Sequence, residues 1–249
     1  MLMDRTILVT GAARGLGRAI ALDVASKGAR LVLGDINVEG GQETARMVAD
    51  AGGTARFCPV DLGDPASITA LIGDIVAHEG QLDGLVNNGA IATGIGGKSH
   101  DEIEIETWDR VMAVNVRGVW LMITAAAPML AASGHGRIVN VASDTALWGA
   151  PKLLSYVASK GAVMAMTRSL ARELGPDNIG VVAIAPGILT TESTEYVPPE
   201  RHQLYEQGRA VPGPQPPEDV VGTVAFLLGD AALTLTGQTL PVNRGFVFT

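Results

Sequence analysis

Thr6-Ile-Leu-Val-Thr10-Gly11-Ala-Ala-Arg14-Gly15-Leu16-Gly17 passes from a five-residue apolar run straight into three glycines. A run of that length ended by glycine predicts a strand and a tight turn. A helical pattern follows, with Ile20, Val24 and small alanines, and it stops at Lys27-Gly28. A second strand, residues 29–35, finishes at Asp35. Strand, glycine-rich turn, helix, strand is a βαβ unit. Its glycines let the backbone approach a pyrophosphate, and the helix N-terminus offers free N–H groups and a positive dipole end. An acid about 20 residues further on suits a ribose 2′-hydroxyl. Asp35 would repel a 2′-phosphate and Ile36 brings no cation to offset it, so NAD is the expected coenzyme; Arg14 is the one basic residue that argues the other way.

Strand and helix go on alternating to the C-terminus. Strands are expected near residues 6–10, 29–35, 55–61, 82–88, 136–142, 179–185 and 238–242, and helices near 15–27, 38–51, 65–78, 103–132, 155–174 and 217–228. That order predicts an α/β fold: a single doubly wound domain over residues 1–249, with a seven-stranded parallel sheet and helices on both faces. Asp64-Pro65 and Pro217-Glu-Asp mark helix starts. Residues 187–216, with Pro198, Pro199, Pro212, Pro214 and Pro216, read as a long loop, and a long loop in a compact domain is usually functional.

Composition narrows the partners. Hydrophobic residues make up 47% and aromatic residues 4% of the 249, and the net charge is −8 with no basic run. That argues against nucleic acid and anionic membrane. The longest apolar stretch, residues 118–132, contains Thr124 and Pro128 and reads as a buried helix short of a bilayer span. Cys58, the only cysteine, reads as a buried strand residue. The four histidines show no ligand spacing, so no metal is expected. Residues 1–5 show no leader, and the expected compartment is the cytoplasm.

A second constellation carries chemistry. Tyr156 and Lys160 are four residues apart, on one face of a helix. A phenol titrates near ~10, and a fixed cation lowers that value. Ser143, at the end of an apolar run, can share the same substrate oxygen.

Thr10-Gly-x3-Gly-x-Gly17, Asp35, Asp61, Asn87-Asn88, Asn115, Ser143, Tyr156-x3-Lys160 and Pro186-Gly187 stand in the order and spacing of the short-chain dehydrogenase/reductase family, which the whole chain resembles. The resemblance implies Ser143, Tyr156, Lys160 and Asn115 as the catalytic set. Tyr156 would be the general base and Lys160 its tuner and ribose anchor, with Asn115 holding a water of the proton relay. It implies cofactor contacts from Gly11, Arg14, Gly15, Leu16 and Gly17, from Asp35 and Ile36, and from Asp61 and Leu62 at the adenine. Asn88, Ala90, Tyr156, Lys160, Pro186, Gly187, Ile188 and Thr191 complete that set. It also implies a lid over residues 187–216 and a homotetramer. Three departures stand out: Gly89-Ala90 in swapped order, Asn243-Arg244 in place of Asp-Gly, and Val182 where asparagine is usual.

The implied activity is interconversion of a secondary alcohol and a ketone with NAD. Leu147, Trp148, Leu153 and Leu154, with Tyr196 and Tyr205, suggest an apolar, partly aromatic substrate lining. That lining is similar to the 1-phenylethanol type of the family, with Ser143, Trp148, Leu154, Tyr156 and Tyr196 at the substrate. The competing readings are a 3-oxoacyl thioester reductase, for which Arg201 and Arg209 speak, and a catalytically silent NAD-sensing protein.

Overall fold

The computed structural model describes residues 2–249. Its strands are β1 (Thr6–Thr10), β2 (Arg30–Asp35), β3 (Thr54–Pro59), β4 (Gly84–Asn87), β5 (Arg137–Val141), β6 (Gly180–Pro186) and β7 (Thr239–Val242). They form one sheet in the order β3-β2-β1-β4-β5-β6-β7, and every pairing is parallel. The helices are α1 (Gly15–Ser26), α2 (Val38–Asp50), α3 (Pro65–His78), α4 (Ile105–Met112), α5 (Val119–Ser133), α6 (Thr145–Trp148), α7 (Leu154–Leu174), α8 (Pro199–Gly208) and α9 (Glu218–Leu227).

Alternation along each strand feeds two cores, because successive side chains point to opposite faces. Ile7, Val9, Leu31, Leu33, Val182 and Ile184 pack with Ile20 and Val24 of α1 and Val220 and Val224 of α9. Leu8, Val32 and Val181 pack with Ile68 and Ile75 of α3 and Met122 and Ile123 of α5. Val182, 3% exposed, lies opposite Val139 of β5 in that first core. An amide there would need a partner among aliphatic side chains, which explains the valine. Cys58 of β3 is buried, and desolvation pushes its thiol up to about 12.

Helix starts follow the sequence signals. Asp64 caps α3 by accepting from the Ala66 N–H, and Asn37 caps α2 by accepting from Gly40. By contrast α1 starts with no side-chain cap, so its first N–H groups stay free beside the glycine turn. Chain order reverses between β1 and β4, and the crevice for a ligand in such sheets opens at that point, beyond the strand C-termini.

Three features depart from the sequence reading. The helix expected at 103–132 runs through α4 and α5 with a π-helical stretch, Ala113–Gly118, between them. At 29 residues, Ile105–Ser133 is by length and composition long enough to cross a membrane, so the argument from a short apolar stretch does not hold. What places it is packing: Met122, Ile123, Ala126 and Leu130 are buried against α3 and the sheet. The loop expected over 187–216 contains α8, started by Pro199 at a position where a missing N–H costs nothing. A short turn of helix, α6, also lies between Ser143 and Tyr156.

Candidate active site

The glycine turn is held from both sides. Gly11 adopts φ +65°, and a side chain there would meet Gly89 Cα at 2.6 Å. A Cβ on Gly17 would lie 1.9 Å from the Gly11 carbonyl oxygen. Asn88 explains this closeness: its amide donates to the carbonyls of Thr10 (3.1 Å) and Gly11 (3.0 Å). Thr10 Oγ1 in turn accepts from the N–H groups of Asn88 and Gly89, both at 3.1 Å. Asn88 thus clamps the turn and reaches a cofactor mainly through it. A side chain on residue 89 would strike Leu62 Cδ1 at 2.7 Å, so the Gly89-Ala90 order puts glycine where it is needed.

Asp35 ends β2 with both carboxylate oxygens aimed by backbone: one accepts from Ala13 N–H and the other from Asn37 N–H, each at 2.9 Å. Ile36 beside it is exposed and Arg14 is exposed on the turn. Arg18 is committed to Ala13 O and Thr44 Oγ1. Asp61 accepts from Gly63 N–H at 2.7 Å, which fixes the turn after β3.

At the end of β5, Ser143 Oγ accepts from the Thr145 hydroxyl at 2.9 Å. Burial pushes the Tyr156 phenol up to about 12, with a Ser143 hydrogen bond pulling the other way. Lys160 is 4% exposed, and burial pulls it down to about 8. Its ammonium lies 5.6 Å from the Tyr156 ring centroid and donates to Val141 O at 2.7 Å. In the chain alone desolvation dominates the Tyr156 phenol, and Lys160, aimed at the Val141 carbonyl, is not among the groups that lower it. Asn115 sits in the π-helical stretch. Its amide donates to Ile91 O (3.0 Å) and Ser159 Oγ (3.1 Å) and accepts from Ile91 N–H (2.8 Å). Both amide hydrogens are spent joining the loop after β4 to α7, so the side chain has none left to donate to a relay water.

These residues border one cavity of about 1270 Å³. Gly11, Arg14, Leu16, Gly17, Asp35, Ile36, Asp61, Leu62, Asn88 and Ala90 line one end. Ser143, Tyr156, Lys160, Pro186, Gly187, Ile188, Thr191 and Tyr196 line the other. Gly15, at φ +54°, faces an adjoining depression, and Asn115 stands behind the wall. A long cavity with an uncapped helix start, an oriented carboxylate and a buried ammonium fits a dinucleotide cofactor. Among the described residues, no three His, Cys, Asp or Glu side chains group to hold a metal ion.

Two expected substrate residues lie elsewhere. Leu154 is 44% exposed and outside the cavity, where Leu153 takes its place. Trp148 is turned away by α6 into an aromatic cluster with Tyr205 and Phe246. Tyr196 does border the cavity, and its hydroxyl donates to Ala92 O across the mouth. Tyr205 of α8, 1% exposed, also lines it. Its hydroxyl donates to Asp144 Oδ1 at 2.7 Å. Asp144 went unnoticed in sequence because its partners, Tyr205 and Asn243, lie 61 and 99 residues away.

Comparison with known proteins agrees with this geometry. The family described as enoyl-(acyl carrier protein) reductase matches residues 11–247. A 3-oxoacyl-(acyl-carrier-protein) reductase of Staphylococcus aureus is 35% identical over 254 residues, 98% of this chain and 99% of that one. A cyclopentanol dehydrogenase of Comamonas testosteroni is 34% identical over 249 residues, covering 98% and 97%. The crystal structure of a 3-ketoacyl-(acyl-carrier-protein) reductase from Brucella melitensis complexed with NADH matches with a TM-score of 0.90 at 32% identity, over all of both chains.

Proposed function

The chain belongs to the short-chain dehydrogenase/reductase family, and from that premise we propose that it is an NAD-dependent dehydrogenase of secondary alcohols. In reverse it reduces ketones, and its substrate carries an aryl or alicyclic group. The observation that carries the reading is the convergence of Ser143, Tyr156 and Lys160 on the cavity that Asp35 borders at its far end. The nicotinamide supplies or accepts the hydride. Ser143 holds the substrate oxygen. Tyr156 gives that oxygen a proton in reduction and takes it back in oxidation, as general acid and base. A phenol held near 12 is protonated at neutral pH, the form that ketone reduction needs. Lys160 has only Val141 O among the described residues, which leaves two of its three N–H groups for a ribose. The proposal includes a homotetramer in the cytoplasm; sedimentation at about four times the 25.7 kDa chain mass tests the assembly.

Asp35 and the exposed Ile36 support NAD over NADP. A carboxylate at the ribose disfavours a 2′-phosphate by several kcal/mol, so kcat/KM should favour NAD by well over about tenfold. The apolar residues Leu153, Leu189, Tyr196 and Tyr205 at the substrate end, with the cyclopentanol dehydrogenase relative, support a ring-bearing alcohol. Reduction of a 3-oxoacyl thioester is the second reading, favoured by Lys152 and Arg201 on the cavity wall and by the Staphylococcus relative. The test is kcat/KM for 1-phenylethanol, cyclohexanol, 2-butanol and a 3-hydroxyacyl thioester with each coenzyme. A ring adds several CH₂-sized groups at about 0.8 kcal/mol each, so 1-phenylethanol should exceed 2-butanol by roughly two powers of ten. Preference for the thioester would install the second reading, and equal use of both coenzymes would refute the role given to Asp35.

A further inference from the structure

Asp144 follows Ser143 in the chain, is fully buried, and takes no part in the chemistry above. Its backbone N–H donates to Pro186 O at 3.0 Å. Its two carboxylate oxygens are each taken by a different segment. Tyr205 of α8 donates its hydroxyl to Oδ1 at 2.7 Å, and Asn243 of the turn after β7 donates its amide to Oδ2 at 3.1 Å. Tyr205 oxygen also accepts from the Trp148 indole N–H at 3.0 Å. Asn243 Oδ1 accepts from Gly245 and Phe246 N–H groups, at 3.1 and 3.2 Å, which seats Phe246. The Phe246 ring then stacks on Tyr205 at 4.2 Å between centroids. The chain of contacts closes on itself: the Ser143 loop, α8 and the C-terminal turn are joined through one carboxylate.

The side-chain hydrogen bonds of Trp148, Tyr205 and Asn243 all run toward the Asp144 carboxylate, so the Tyr205 proton is committed there. The tyrosine therefore presents ring, not hydroxyl, to the cavity it lines with Ser143 and Tyr156. Hydrogen bonds to a buried charged acceptor are about twice as strong as neutral ones. The neutral side chain at 243 belongs to the same arrangement, because aspartate there would set a second carboxylate against Oδ2 in a buried site. Arg209, 3% exposed, holds the far end of α8 through Ile188 O and Gly213 O, 2.7 and 2.6 Å away.

We propose that Asp144 is a positioning residue for substrate: by taking the Tyr205 hydroxyl it latches α8 over the cavity and fixes the tyrosine ring as an apolar wall beside the reacting oxygen. The idea deepens the ring-bearing-alcohol reading and rests on it for the choice of substrate.

The test compares wild type, Tyr205→Phe, Asp144→Asn and the double variant in the full chain. Amide hydrogen exchange of residues 199–208 needs no substrate, and each single variant should speed it by about tenfold while residues 6–10 stay unchanged. With 1-phenylethanol and NAD, KM should rise about tenfold, with kcat and NADH affinity within about threefold of wild type. The double variant should be no worse than the worse single one, because both break one latch. Unchanged exchange in 199–208, exchange that rises equally in 6–10, or losses that multiply in the double variant would overturn the proposal. A wild type that ignores 1-phenylethanol would sink the substrate reading alone, since the exchange result still decides the latch.

Discussion

Lys160 donates to the Val141 carbonyl from a buried position and is drawn down to about 8, while the same burial drives the Tyr156 phenol up to about 12. Desolvation disfavours whichever form is charged, so it moves a base down and an acid up. For Lys160 the unfolded chain holds its proton up to about 10.5 and the folded chain only to about 8. The charged form thus weighs on the fold below pH 8, and that burden lifts as pH rises toward 10.5. Lys160→Met should stabilise the coenzyme-free protein at pH 7 by about 2–3 kcal/mol while removing activity. Denaturant unfolding at pH 7 and pH 10.5 checks this: the gap should shrink at the higher pH, and a variant less stable at pH 7 would contradict it. At this scale the sequence told which side chains meet but not what each touches. Tyr156 and Lys160 are one turn apart, which any helix reveals. That Lys160 points at Val141 O, or that Asn115 spends both amide hydrogens on Ile91 and Ser159, depends on partners from other elements.

Among the elements, α1 and its turn were readable because their glycines are needed at fixed places. Gly17→Ala would force a Cβ to 1.9 Å from Gly11 O, a backbone atom that cannot yield. It should cost about 2–4 kcal/mol and weaken NADH binding. In α3, Gly73 has open space around its missing Cβ. Gly73→Ala should stabilise by about 0.5–1 kcal/mol without touching activity. Thermal melts and NADH titration of the two variants check the pair, and a harmless Gly17→Ala would contradict the packing described. Pro65–His78 was also legible, since Asp64-Pro65 states its start. Other elements were hidden for identifiable reasons. The residues of α8 carry one buried apolar anchor, Tyr205, too few to show a helical period. The π turn around Asn115 has no period of its own and interrupts nothing in the pattern Val111-Met-Ala-Val-Asn-Val. Four residues of α6 were enough to move Trp148 out of the substrate end and leave Leu154 exposed.

Over the whole molecule, the parallel order β3-β2-β1-β4-β5-β6-β7 makes the site possible. It brings the C-terminal ends of β1, β4, β5 and β6 to one crevice, so Gly11, Asn88, Ser143 and Gly187 meet from four distant parts of the chain. This much was legible in the sequence, because strands, the central ones apolar and buried on both faces, alternate with helices throughout. Substrate selection was less so, since α8 and the turn after β7 come together only through Asp144. Turnover in that crevice depends on proton transfer by Tyr156. The direct measurement is growth of the NADH absorbance band with NAD and 1-phenylethanol, against pH, for wild type and Tyr156→Phe, alongside NADH binding to both. An acid held near 12 accepts a proton only once ionised, so the wild-type oxidation rate should climb with pH across the range from 7 to 10. Tyr156→Phe should lose about a thousandfold in turnover at every pH and bind NADH as wild type does. A Tyr156→Phe enzyme that keeps about a tenth of wild-type turnover, or a wild-type rate flat in pH with the variant following it, would contradict the account.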